Sequence, residues 1–82
     1  MKHYILCTEW NESLDKVVAQ WFDSFFIVKG IGYWHGQAET GCQIHVTTAD
    51  AATVLNCAEQ IKTVFAQQAV LVLDYEVNAT YV

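Results

Sequence analysis

Residues Phe25 to Thr47 read FFIVKGIGYWHGQAETGCQIHVT, and this stretch decides the fold. From Phe25 to Trp34 most positions are aromatic or β-branched, the composition of a strand. Gly30 and Gly32 inside it permit a bulge or a close backbone approach. His35 to Gly41 is polar and bounded by glycines, which predicts a hairpin loop. From Cys42 the chain alternates, with Cys42, Ile44 and Val46 on one side and Gln43, His45 and Thr47 on the other. The first set therefore faces a core, and the whole stretch predicts a central antiparallel hairpin.

Outward from the hairpin the periodicity changes on both sides. Upstream, Leu14, Val17, Val18, Trp21, Phe22 and Phe25 recur at three- and four-residue spacing, which predicts a helix. Glu12, Asp15, Lys16, Gln20 and Asp23 fill its other face, and Asn11 or Ser13 can cap it. His3 to Thr8, before it, reads as a first strand. Downstream, Asp50 is the expected cap of a second helix, whose stripe is Val54, Ala58, Ile61 and Phe65 and which runs to about Gln67. Leu71 to Tyr81 then alternates without a break and predicts a long last strand. The order is β-α-β-β-α-β. Right-handed crossovers place both helices on one face of a four-stranded antiparallel sheet, so the expected class is an α+β, ferredoxin-like sandwich forming one domain over residues 1–82.

Composition narrows the function. The 82 residues are 54% hydrophobic and 16% charged, which excludes disorder. Four lysines, no arginine and nine carboxylates give a formal charge of −5, so the chain lacks the basic stripe that nucleic-acid binding requires. The nine carboxylates are scattered, as solvation requires, and form no run that would imitate DNA. Neither a secretory signal nor an apolar run of membrane-spanning length is present, and a cytoplasmic, membrane-free protein is expected. Cys7, Cys42 and Cys57 show neither a disulfide framework nor a C-x-x-C pair, and read as reduced, mostly buried thiols.

Gly32-Tyr33-Trp34, Glu39 and the segment Phe65-Ala66-Gln67-Gln68-Ala69-Val70-Leu71 resemble a bacterial family of unknown function. That family carries a glycine-x-tryptophan, a loop glutamate, and a phenylalanine-x-glutamine leading into a valine-leucine strand. The chain departs from it in lacking a proline-containing turn before the second strand and in having no arginine. More loosely, the topology and Lys29-Gly30-Ile31-Gly32 are similar to the trimeric PII-type signalling proteins. The first resemblance implies the fold and no activity; the second implies nucleotide binding between subunits.

The densest group of chemically capable side chains is Tyr33, Trp34, His35 and Glu39, the candidate binding residues. A histidine with a nearby carboxylate could act as a general base, although a solvated hairpin with two packed aromatics explains the same residues. His3 and His45 fall on neighbouring central strands and, with Glu76, could form a two-histidine, one-carboxylate metal site. Surface histidines account for them better, because no metal-ligand spacing occurs, and neither metal nor cofactor is expected. Lys29-Gly30-Ile31-Gly32 lies in a strand and not before a helix, unlike a phosphate cradle.

One sheet face is left without helices while the strands are rich in Tyr, Trp, Val and Phe, so apolar side chains must lie on it. The sequence thus reads as a nonenzymatic interaction module. Its expected partners are further copies of itself, as a homodimer or small ring, and a protein or small ligand at the subunit boundary. A phage- or mobile-element-encoded inhibitor of a host protein fits the small acidic chain. Two alternatives are a small dimeric α+β-barrel enzyme with a pocket between sheets and a PII-like nucleotide-binding protein.

Overall fold

Leu6 sits in the middle of strand β1 (Lys2–Glu9), fully buried, and both neighbours of that strand are set by it. On one side it lies opposite Ile44 of β3 (Gln37–Thr48), and on the other opposite Val72 of β4 (Leu71–Glu76). Strand β2 (Phe26–Trp34) pairs with β3 at the far edge, giving an antiparallel sheet in the order β2-β3-β1-β4. Helices α1 (Leu14–Val18) and α2 (Ala51–Val64) cross over the same face. The computed structural model describes residues 1–82 and has the ferredoxin-like β-α-β-β-α-β order expected from the sequence.

Twelve buried residues form the core, with Tyr4, Leu6, Cys42, Ile44 and Val46 from the sheet meeting Leu14, Val17 and Val18 of α1 and Val54, Cys57, Ala58 and Ile61 of α2. The parity read from β3 is the observed one. Asp50 caps α2 as expected, its carboxylate accepting from Thr53 N at 3.1 Å and from Thr53 Oγ1 at 2.6 Å. These bonds hold the Asp50 carboxyl below its usual range.

Three elements differ from the sequence reading. The first helix stops at Val18 and does not continue to Phe25. Gln20 and Trp21 N–H groups donate back only three residues, to the Val17 and Val18 carbonyls, and this tighter winding ends the helix. Trp21, Phe22 and Phe25 still pack on the core, so the three-and-four spacing reports burial beyond the helix end. The Trp21 indole N–H donates to Gln60 of α2, which pins that segment. Neither proposed cap bonds a helix N–H through its side chain, since Asn11 Oδ1 accepts from Ser13 N at 2.9 Å instead.

The central loop is also shorter than expected. His35 and Gly36, at φ of 50° and 77°, form a two-residue turn, and Gln37 already begins β3. Positive φ at both positions is the type I′ geometry whose twist matches the flanking strands. Pairing runs unbroken from Trp34↔Gln37 through Gly32↔Glu39 and Gly30↔Gly41 to Phe26↔His45, so the glycines mark no bulge. The hairpin tip reads as a polar loop because it projects past the helices: Ile31 and Tyr33, on the helix side, are 79% and 75% exposed.

The last strand ends at Glu76 and not at Tyr81. Glu76 lies opposite Lys2, the first residue of β1, and the ladder closes with Val77 N donating to Met1 O at 3.2 Å.

Two outcomes test the core. Ile44→Ala, which opens a cavity at a fully buried site, should lower unfolding free energy by about 2–5 kcal/mol in urea titration, whereas Phe26→Ala on the exposed edge should change it little. Burial pushes the Cys57 thiol up to about 11. Alkylation of Cys57 at neutral pH should therefore be far slower in folded than in denatured protein, and equal rates would show the α2 face to be misplaced.

Candidate functional site

The two sheet faces have an inverted polarity. Strand alternation puts His3, Ile5, Cys7 and Glu9 of β1, Leu71, Leu73 and Tyr75 of β4, and Phe26, Val28 and Trp34 of β2 on the face without helices. The charged strand residues Lys2, Lys29, Asp74 and Glu76 all fall on the helix side. There Lys2 Nζ pairs with Asp74 Oδ1 at 3.2 Å, the Met1 amine lies 3.6 Å from Glu76 Oε2, and Lys29 stands over the Trp10 ring at 4.7 Å. The helix-free face holds just two charged groups, Glu9 and Glu39, both at its hairpin end. Phe26 is 77% exposed on it, Leu71 56% and Tyr75 52%.

At that end the sheet forms an open groove of about 760 Å³. Gly30, Gly32 and Gly41 make part of its floor, where a Cβ at Gly30 or Gly32 would meet nothing within 4 Å. Val28, Trp34, Cys7 and Leu71 line it with apolar surface, and Glu9, Glu39, Gln43 and Gln67 supply polar groups. Gln67 holds Glu9 twice: its Nε2 donates to Glu9 Oε2 at 3.0 Å, and its Oε1 accepts from Glu9 N at 3.4 Å. Hydrogen bonding to the neighbouring Glu9 carboxyl, with desolvation and the Glu9 charge, raises the Glu39 carboxyl above its usual range.

The structure divides the four residues singled out in the sequence. Tyr33, Trp34 and Glu39 line the groove, and His35 does not. Tyr33 and Trp34 leave the β2 backbone on opposite faces, while the Trp34 and His35 rings meet edge to face at 4.7 Å. Glu39 is a strand residue opposite Gly32, not a loop residue, and its carboxyl engages Glu9, so no His35–Glu39 acid–base pair forms. Sequence reading missed Glu9 and Gln67 as partners because 58 positions separate them and only the α2–β4 connection brings them together.

His3 and His45 do meet, on the helix-free face. Glu76 does not join them: it lies opposite Lys2, one residue out of phase with His3, and so points to the other face. The proposed two-histidine, one-carboxylate set is corrected by that parity. Cys42 and Cys57 are buried and Cys7 half-buried, all three unpaired, and burial pushes each thiol up, Cys42 to about 11. None has the lowered pKa of a nucleophile.

No protein-family model matches the chain. No curated protein matches it either. Solved structures do. The chain is similar to CPII, a nitrogen regulatory PII-like protein from Thiomonas intermedia K12 bound to ADP, AMP and bicarbonate, at TM-score 0.68 and 13% identity over 98% of this chain and 92% of that one. It is similar to a DUF3240 family protein from Shewanella baltica OS155 at TM-score 0.66 and 12% identity, covering 99% and 97%. The periplasmic divalent cation tolerance protein CutA from Archaeoglobus fulgidus superposes at 0.63 with 13% identity, covering 99% and 88%. The likeness establishes the fold. At these identities it carries no activity across.

The carboxyl pair has a signed consequence. A carboxyl raised in the fold favours the protonated form, so its stabilisation is present below the unfolded pKa and is lost as pH rises through the folded one. Glu39→Gln should therefore raise the melting temperature at pH 7, with a gain that shrinks toward about pH 4. An unchanged or lower melting temperature at pH 7 would show that the two carboxyls do not compete in the folded chain.

Proposed function

We propose that this protein is a nonenzymatic interaction module that associates with further copies of itself through its helix-free sheet face and binds a partner or small ligand in the adjoining groove. One observation carries the reading: apolar side chains occupy the solvent side of the sheet while four of the six charged strand residues occupy the helix side, the other two, Glu9 and Glu39, sitting at the hairpin end. In a lone chain that arrangement leaves Phe26, Val28, Leu71, Leu73 and Tyr75 in water. With strands about 4.8 Å apart, the four-stranded region alone presents a face of about 400 Å² in projection, comparable to the largest patches on monomers. The projecting hairpin adds to it, toward the roughly 800 Å² of accessible surface per partner that a standard interface buries.

Most of the strand residues that line the groove lie on this face, so a second copy seated on the face would complete its walls. Trp34 is its aromatic anchor, Tyr33 and Glu39 are rim contacts, and His35 extends the same rim from the turn. The occupant is neutral or cationic. Glu9 and Glu39 set an acidic field there, the single lysine among the lining residues, Lys29, stands over the Trp10 ring, and no arginine exists to receive a phosphate. That chemistry separates the chain from a nucleotide-binding role despite the fold it shares with CPII. A cytoplasmic setting fits three unpaired thiols, and no helix is long and apolar enough to cross a membrane.

Light scattering after gel filtration should give at least a dimer at about 10 µM, as expected for an interface of standard size. Leu73→Lys and Phe26→Lys, each placing a charge on the apolar face, should yield a folded monomer with unchanged circular dichroism. A wild-type monomer at that concentration, or assembly indifferent to both substitutions, overturns the reading.

A further inference from the structure

On the helix-free face, away from the groove, four side chains form one hydrogen-bonded line. Thr47 Oγ1 lies 2.9 Å from His3 Nδ1, His3 Nε2 lies 2.9 Å from His45 Nδ1, and His45 Nε2 lies 3.1 Å from Gln43 Oε1. The two rings are held by neighbouring antiparallel strands, with His3 opposite Thr47 and Ile5 opposite His45, and the Tyr75 ring backs His3 at 5.3 Å. Each imidazole thus has an oxygen at its outer nitrogen and the other imidazole at its inner one.

We propose that His3 and His45 form a two-imidazole chelate for a divalent transition-metal ion of the nickel and copper class, with Thr47 and Gln43 as its outer shell. A metal-bound histidine typically gives its other N–H to an acceptor, which fixes the tautomer and raises ligand basicity. Thr47 Oγ1 and Gln43 Oε1 stand where those acceptors belong, and accepting both outer protons leaves the two inner lone pairs facing each other. In the metal-free chain the inner nitrogens are bridged by one hydrogen carried by one of the rings; on metal binding that ring takes the other tautomer, its proton now on the outer nitrogen, and each ring turns on its Cβ–Cγ bond to aim its inner lone pair at the ion.

The ligand chemistry selects the metal. Imidazole nitrogen suits nickel and copper, which also stand above zinc or near the top of the usual affinity order. Water fills the remaining positions in a lone chain, and the net charge of −5 favours an approaching cation. Local spacing gives no sign of the pair, whose members are 42 residues apart; the strand order read from the sequence is what sets them side by side.

Calorimetric titration of chain lacking a polyhistidine tag with nickel(II) tests the site. The wild type should bind one ion per chain at most, with a Kd below about 100 µM. Outer-shell losses cost about 10–100-fold at known metal sites, so His3→Gln and His45→Gln should each weaken binding at least about tenfold. Thr47→Val should weaken it less, and melting curves should confirm that every variant is folded. Absence of wild-type binding overturns the proposal. So does full binding by His45→Gln, which would place the ion on His3 and the Met1 amine without the second imidazole.

Discussion

Everything in this fold depends on the phase of β1. It is the only strand with neighbours on both sides that also begins the chain's order, and its alternation decides which residues of three strands meet on each face. With Tyr4 and Leu6 inward, Leu6 stacks between Ile44 and Val72 and closes the core against both helices. A slip of one residue would drive His3, Cys7 and Glu9 beneath the helices and expose Leu6, exchanging the faces completely. The inward hydrophobic set forbids that slip. In doing so it also fixes the outward set, including the two histidines and the carboxylate that Gln67 holds.

The outward set is where stability and function part company. Ile44 and Ile61 are fully buried and account for the fold. Leu71, Leu73, Tyr75 and Phe26 contribute little burial within the chain, yet are as apolar as a core. Conversely, Lys2, Asp74 and Glu76 find ionic partners on the helix side beyond the reach of the helices. A sheet selected only to fold as a monomer would reverse these positions at a gain in solubility.

Much of this was legible in the residues themselves. The alternation of Cys42, Ile44 and Val46 gave the parity of β3, Asp50 marked the second helix, and the order of periods led to the topology. Local patterns failed where burial and backbone geometry diverge. Trp21, Phe22 and Phe25 keep a helical spacing because they are buried, although the helix has already ended. Residues 37–41 look like a loop because neither helix packs over that part of the hairpin, although they are paired strand. Val77 to Tyr81 alternates like a strand but lies beyond β4, with the single Val77 N bond to Met1 O as its tie to β1. The site suffered most at Glu9 and Gln67, which only the tertiary register joins and no window along the chain contains, whereas the expected strand order already set His3 beside His45.

The sheet also has two unlike borders, β2 on one side and β4 on the other. Neither border is covered by a helix or interrupted by proline, so each offers a row of free backbone donors and acceptors. Joining β4 of one copy to β2 of the next is a head-to-tail union, and such unions have only two geometric fates: they close into a ring or they continue as a fibre. The accumulated twist of four strands sets the rotation from one copy to the next. Small changes in that twist, made at the hairpin or at the β4 end, would decide between a closed particle and open growth.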